Sequence, residues 1–153
     1  MTAYELGQHG VACTVVPDSA SGHVMRSIGI DLVIVGCDRV AANGDTANKI
    51  GTYMQALAAK DNGVPFYVAL PSRTADLSLA HGGLIEIEER HQDEVLGITG
   101  RTGDGAVAHV SIAAPGARAV NPAFDLTPAR LVTGYITEVG VLSASDLGKL
   151  GRL

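Results

Sequence analysis

The chain has 153 residues, 46% of them hydrophobic and 18% charged, with a formal net charge of −5. That is enough apolar material for one compact core, too little charge for a disordered chain, and the wrong sign for a sequence-independent grip on nucleic acid. Aromatics make up only 4% and tryptophan is missing, so the core must come from Ala, Val, Leu and Ile, the usual material of buried parallel strands. In chain order, TAYELGQHG reads as a short helix ended by Gly10. VACTVVP is a β-rich run stopped by Pro17. DSASGHVMRSIGI offers Asp18 or Ser19 as N-cap and Val24, Met25 and Ile28 at helical spacing. DLVIVG reads as a buried strand, and a helix is predicted over 46–61. That helix carries Ile50, Tyr53, Met54 and Leu57, is capped by Asp45 or Thr46, and is ended by Asn62-Gly63. VPFYVAL is the next strand, closed by Pro71.

Strand, helix, strand, helix, strand with short connections predicts an α/β fold, an open parallel sheet with flanking helices and right-handed crossovers. In the second half, ADLSLA suggests one helical turn and residues 107–112 a strand. Thr127 before Pro128 signals a helix start, residues 139–142 a last short strand, and SASDLGKLGRL a loosely held tail. No internal repeat and no second domain stand out, so residues 1–153 read as one unit. No apolar run has membrane-spanning length, and the N-terminus does not read as a signal peptide. The expected place is the cytoplasm, with no membrane contact. Cys13 and Cys37 lie in apolar runs outside any CxxC or His/Cys pattern, so both are expected as buried, reduced thiols. No metal or organic cofactor is implied. GDGAVA at 103–108 fits a loose dinucleotide-binding pattern, but it does not join a first strand to a helix. His81, His91 and His109 lie in polar segments, and EIEER reads as a solvated charged turn.

The polar chemistry is concentrated in GCDRVAANGDTANKIGTY, residues 36–53. In open α/β sheets ligands bind outside the carboxyl ends of the strands, which is where Asp38 falls. A helix starting at residue 46 would aim free N–H groups and its positive dipole end into the same crevice, with Asn48 and Lys49 in its first turns. Together with Asn43 and Gly44 this would make a phosphate cradle. Asp38 itself has two readings. One is a loop carboxylate paired with Arg39 or capping a turn, which the spacing alone favours. The other is a general acid/base in an apolar pocket. Cys37 is assigned to the core side of the strand, because adjacent strand residues point to opposite faces.

These residues carry a resemblance. GCDRVAANGDTANKIGTY, with VPFYVALPSRTADLSLAHGG, IEIEER and NPAFDLTPARLVTGYITEVGV in the same order, resembles the S-methyl-5-thioribose-1-phosphate isomerases over nearly the whole chain, in their C-terminal Rossmann-like domain. The regulatory subunits of the guanine-nucleotide exchange factor for translation initiation share that fold. The resemblance implies conversion of an aldose 1-phosphate to a ketose 1-phosphate in methionine salvage. It implies Asp38 as catalytic acid/base, Asn48 and Lys49 as substrate-binding residues, and a homodimer. Arg39, Asn43 and Gly44 are supporting candidates from the loop reading.

The resemblance also implies that the family's catalytic cysteine, its Arg-Gly-Ala phosphate loop, a further arginine and a glutamine lie upstream, without counterparts here. The expected domain is therefore truncated at its N-terminus, with an uncovered sheet edge that lowers stability or drives self-association. The alternatives are an isomerase of another pentose 1-phosphate such as ribose 1,5-bisphosphate, a non-catalytic subunit of the initiation-factor type, and an inactive fragment.

Overall fold

The computed structural model describes residues 2–152. Its α-helices are α1 (Thr2–Gln8), α2 (Ser21–Ser27), α3 (Thr52–Asp61) and the single turn α4 (Asp93–Leu96). Its strands are β1 (Val33–Val35), β2 (Arg39–Ala41), β3 (Thr46–Lys49), β4 (Phe66–Ala69), β5 (Ala75–Asp76), β6 (Gly97–Arg101), β7 (Val107–Ser111), β8 (Phe124–Thr127), β9 (Gly134–Thr137) and β10 (Gly140–Leu142). One sheet runs β1-β4-β9-β10, with the first three strands parallel and β10 antiparallel at the edge. A second sheet runs β5-β2-β3-β8, and β6 and β7 form a separate hairpin. The α/β class with parallel strands and flanking helices is as expected.

The main core gathers Val40, Ala56, Ala59, Phe66, Val68, Leu131, Tyr135 and Leu147. Each large apolar side chain buried there contributes about 1.5–3 kcal/mol. Helix α3 meets the core through Ala56 and Ala59, which let its backbone approach closely, while Ile50, Met54 and Leu57 are exposed. Of the apolar spacing read from the sequence, Met54 and Leu57 lie on the outer face, Tyr53 packs against the core, and Ile50 precedes the helix. Ile28 is likewise exposed at the end of α2, where Met25 alone is buried.

Several expectations are corrected. Residues 11–17 form no strand, because no neighbouring strand among the described residues offers a ladder. Strand β1 is an edge strand with Ile34 55% exposed, not a buried one. ADLSLA is not helical: Ala75 and Asp76 pair in parallel with Val40 and Ala41, and Asp76 turns the chain by accepting from Ser78. After Pro128 there is only a 3-10 turn, Ala129–Leu131. Thr127 does not cap it: its buried hydroxyl has no partner, and Asp45 takes the Ala129 N–H at 3.0 Å. The tail is held, not loose: a 3-10 helix at Ala144–Arg152 inserts Leu147 and Leu150 into the core. Among the described residues no helix is long and apolar enough to cross a membrane.

Candidate functional site

The largest departure from the sequence reading lies at the polar loop. Residues 46–49 are a strand, and the helix starts only at Thr52. β3 pairs on both sides, with β2 (Arg39↔Ala47, Val40↔Thr46) and with β8 (Thr46↔Thr127 through Lys49↔Phe124). Gly51, at φ 100°, then breaks the strand and serves as N-cap. Asn43-Gly44 is the hairpin turn, closed by Gly44 N–H to Ala41 O at 2.9 Å and Ala41 N–H to Asp45 O at 2.9 Å. An Asn-Gly pair between two β-compatible runs is the sequence signal that would have found it.

This hairpin sorts the candidates. Asp38 follows the carboxyl end of β1 through Gly36 and Cys37, and its N–H donates to Ala47 O at 3.0 Å. Continuing the β2–β3 register sets Asp38 opposite Asn48 at the open end of the hairpin. Asn48 in turn pairs with Asp125 on β8. Asn43 and Gly44 lie at the closed end and are not part of this group. Asn43 exchanges hydrogen bonds with Asp45 (2.8 and 3.0 Å), and Gly44 is buried beneath the Tyr135 hydroxyl. Asn48 and Lys49, as consecutive strand residues, project to opposite faces. The Asn48 amide donates to Thr52 Oγ1 at 3.0 Å, whereas Lys49 Nζ stands 5.2 Å from the Phe124 ring centroid.

Asp38 is exposed, not held in an apolar pocket. It lines two open clefts. One of about 440 Å³ is shared with Arg39, Arg73, Thr74, Ala75, Asp76 and Leu77. The other, about 370 Å³, is shared with Arg39, Ile85, Glu86 and Glu88. Arg39 pairs with Asp76 at 3.5 Å instead of with Asp38. Nor are the first N–H groups of α3 free. Asp125 accepts from Gly51 N at 2.8 Å and from Tyr53 N at 3.1 Å, which places a carboxylate where the phosphate was expected.

Cys37 packs against the core as expected. Burial and then the charge of Asp38 push its thiol up to about 12, which removes it as a nucleophile near neutral pH. Cys13, by contrast, is exposed. Asp45 is the polar hub of the region. Burial would raise its pKa, but hydrogen bonds from Asn43, Ala129 N–H and Gly82 N–H, with the charge of His81, hold it below the ordinary carboxylate value. Among the described residues no three His, Cys, Asp or Glu side chains gather as a metal site. Sequence reasoning missed Asp125 as the acceptor at the start of α3.

The sequence pattern of the Initiation factor 2 subunit family matches residues 1–144. The chain is 57% identical over 146 residues to the methylthioribose-1-phosphate isomerase of Methylocella silvestris, covering 95% of this chain and 40% of that protein. It is 57% identical over 150 residues to the protein of the same name from Rhizobium meliloti, covering 97% and 41%. Among solved structures it is similar to 5-methylthioribose 1-phosphate isomerase from Pyrococcus horikoshii, with TM-score 0.86, 41% identity, and coverage of 99% of this chain and 41% of that one. It is also similar to the delta subunit of translation initiation factor eIF-2B from A. fulgidus, with TM-score 0.85, 36% identity, and coverage of 100% and 43%. The chain thus spans about two fifths of the length of the curated relatives it matches.

Proposed function

Because the chain belongs to the Initiation factor 2 subunit family, we propose that it carries the Asp38 side of the active site of a methylthioribose-1-phosphate isomerase acting in methionine salvage. Its relatives at 57% identity bear that enzyme's name. The observation that carries the reading is the meeting of Asp38 and Asn48 at the open end of the β2–β3 hairpin, past the carboxyl end of β1. That is the crevice where open α/β sheets bind ligands.

In this proposal the Asp38 carboxyl gives a proton to the ring oxygen of the aldose 1-phosphate as the C1–O bond breaks. The hydrogen on C2 passes to C1, and the proton of the 2-hydroxyl returns to the carboxylate. The product is an isomer of the substrate, so no electrons enter or leave. Asn48 is assigned to the sugar hydroxyls and Lys49 to the substrate's negative charge, which requires Lys49 to leave the Phe124 ring. Proton delivery of this kind gains from exclusion of water. Asp38 is exposed in this chain, so the exclusion has to come from whatever covers the cleft. The working form is proposed to be a cytoplasmic homodimer.

The test is an NMR assay with methylthioribose 1-phosphate that follows the ketose signals, with Asp38→Asn alongside. Turnover abolished by Asp38→Asn supports the reading. Turnover that survives the substitution removes Asp38 from the chemistry. A second reading, a non-catalytic subunit, is favoured by the likeness to the initiation-factor subunit. Absence of turnover would leave the family membership standing and mean that Asp38, Asn48 and Lys49 are only part of a site.

A further inference from the structure

Asn48 meets Asp38 at the open end of the β2–β3 hairpin, and its amide has two unlike edges, one that accepts hydrogen bonds and one that donates them. We propose that Thr52 is the positioning residue that turns the accepting edge of Asn48 toward the crevice, where it takes a hydrogen bond from a sugar hydroxyl. The proposal rests on the reading that places the sugar hydroxyls against Asn48.

The direction of the amide follows from the hydroxyl beside it. A threonine has one O–H to donate and lone pairs with which to accept. The Thr52 hydrogen goes to the Lys49 carbonyl, at 2.6 Å. Toward Asn48 the hydroxyl can therefore only accept, and Asn48 Nδ2 stands 3.0 Å away. A flipped amide would set two oxygens against each other at a threonine only 4% exposed, where solvent gives little relief. The carbonyl oxygen is thus held on the far side. There a Cβ on Gly36 would stand 3.8 Å from it, so Oδ1 faces the turn that carries the chain from β1 to Asp38.

Thr52 is itself fixed. Its branched side chain is stiff about χ1. The backbone on either side of it is tied down, because Asp125 accepts from Gly51 N–H at 2.8 Å and from Tyr53 N–H at 3.1 Å. Asp125 is also the neighbour of Asn48 across β3 and β8. With both of its oxygens engaged at the start of α3, it leaves the Asn48 amide to Thr52. Among the described residues the Asn48 side chain makes no other hydrogen bond.

An acceptor oriented in advance costs less to bind with than one that must first rotate into place. Thr52 leaves the Asn48 carbonyl oxygen unspent, on the strand position opposite the Asp38 carboxyl. Thr52 touches neither Asp38 nor the sugar in this account. Its effect on binding passes through Asn48.

The test is an NMR titration of the ¹⁵N-labelled chain with methylthioribose 1-phosphate at fixed pH and ionic strength, with turnover followed in the same samples. In the free protein the two Asn48 side-chain amide protons are expected as well-separated signals in the parent and in Thr52→Ser, and as collapsed, fast-exchanging ones in Thr52→Val. Affinity should fall about fivefold or more in Thr52→Val and recover in Thr52→Ser. In an Asn48→Ala background, Thr52→Val should weaken binding no further, which a merely structural threonine would not show. Unchanged dispersion of the amide signals checks folding, and Thr52→Ala takes the place of Thr52→Val if valine is not tolerated. Equal affinity in Thr52→Val and the parent, or equal losses from Thr52→Val with and without Asn48, overturns the positioning role and spares the isomerase. Losses that depend on Asn48, without turnover, support the positioning role and make these residues part of an incomplete site. A parent that shows no saturable shift overturns the placement of the sugar at Asn48, and the role of Thr52 with it.

Discussion

Tyr135 donates its hydroxyl to the carbonyl of Gly44 at 2.5 Å, across 91 positions of sequence. Gly44 sits at φ 91°, and a Cβ there would lie 2.6 Å from that hydroxyl and 2.9 Å from the Ala144 Cβ. The hairpin turn is thereby pinned against β9. Tyr135→Phe removes one of two donors to that carbonyl, the other being the Thr46 hydroxyl at 3.1 Å, and is expected to cost about 0.5–1.5 kcal/mol. Gly44→Ala adds left-handed strain to a direct clash and is expected to cost more. Urea unfolding midpoints of the two variants, compared with the parent, check the order.

Asp125 holds the start of α3 from β8, through the N–H groups of Gly51 and Tyr53. Asp125→Ala is expected to lower stability by about 1–2 kcal/mol through loss of the cap and of its interaction with the helix dipole. Asp125→Asn, which keeps one acceptor oxygen, should lose less. Thermal unfolding followed by circular dichroism decides. A loss no larger than that of an exposed surface substitution would remove Asp125 from this role.

Asp45 titrates below the ordinary carboxylate value because three donors, Asn43, Ala129 N–H and Gly82 N–H, outweigh its burial. A carboxylate depressed in the folded state adds stability above its unfolded pKa, about 3.9, and loses that contribution as pH falls toward the folded value. The parent should therefore exceed Asp45→Asn in stability at pH 7. The gap should narrow steadily below about pH 4. Denaturant titrations of both proteins at pH 7, 4 and 3 measure it, and a gap constant with pH would contradict the assignment.

The two thiols should differ in reactivity. Cys13 is exposed, while burial and Asp38 push Cys37 up to about 12. A disulfide reagent at pH 8 should label one thiol rapidly and the second only on unfolding. Cys37→Ser should leave the fast phase intact.

Edge strand β1 presents Ile34 at 55% exposure, and the opposite edge strand β10 presents Val141 at 65%. Self-association of the isolated chain is expected, with an unfolding midpoint that rises with concentration. Sedimentation velocity should show Ile34→Lys shifted toward monomer. A parent that stays monomeric at high concentration would count against this.

What the sequence made legible follows from where the signals were local. The parallel pairing of β1 with β4 came through because each strand is a short apolar run with clear stops at Gly36 and Pro71. The stretch 42–51 did not, because Asp45 and Thr46 resemble a helix cap while their true partners lie far away, at Gly82, Ala129 and Thr127. The same distance hid Asp125 as the cap of α3. Asp38 was placed correctly at a strand end, but its exposure depends on what packs around it, and no local pattern encodes that. Leu147 and Leu150 were lost in a Gly- and Ser-rich tail because two buried leucines in nine residues give too little periodicity to read.

The Asp45 carboxylate joins three segments that share no sequence neighbourhood. Its own turn, the loop at Gly82 and the turn at Ala129 all close on two oxygen atoms. None of the three can open without releasing a donor from the same group. Their backbone amides should therefore exchange with solvent as one cooperative unit. Gly82 and Ala129 would then report a common opening free energy, although 47 residues separate them in the chain.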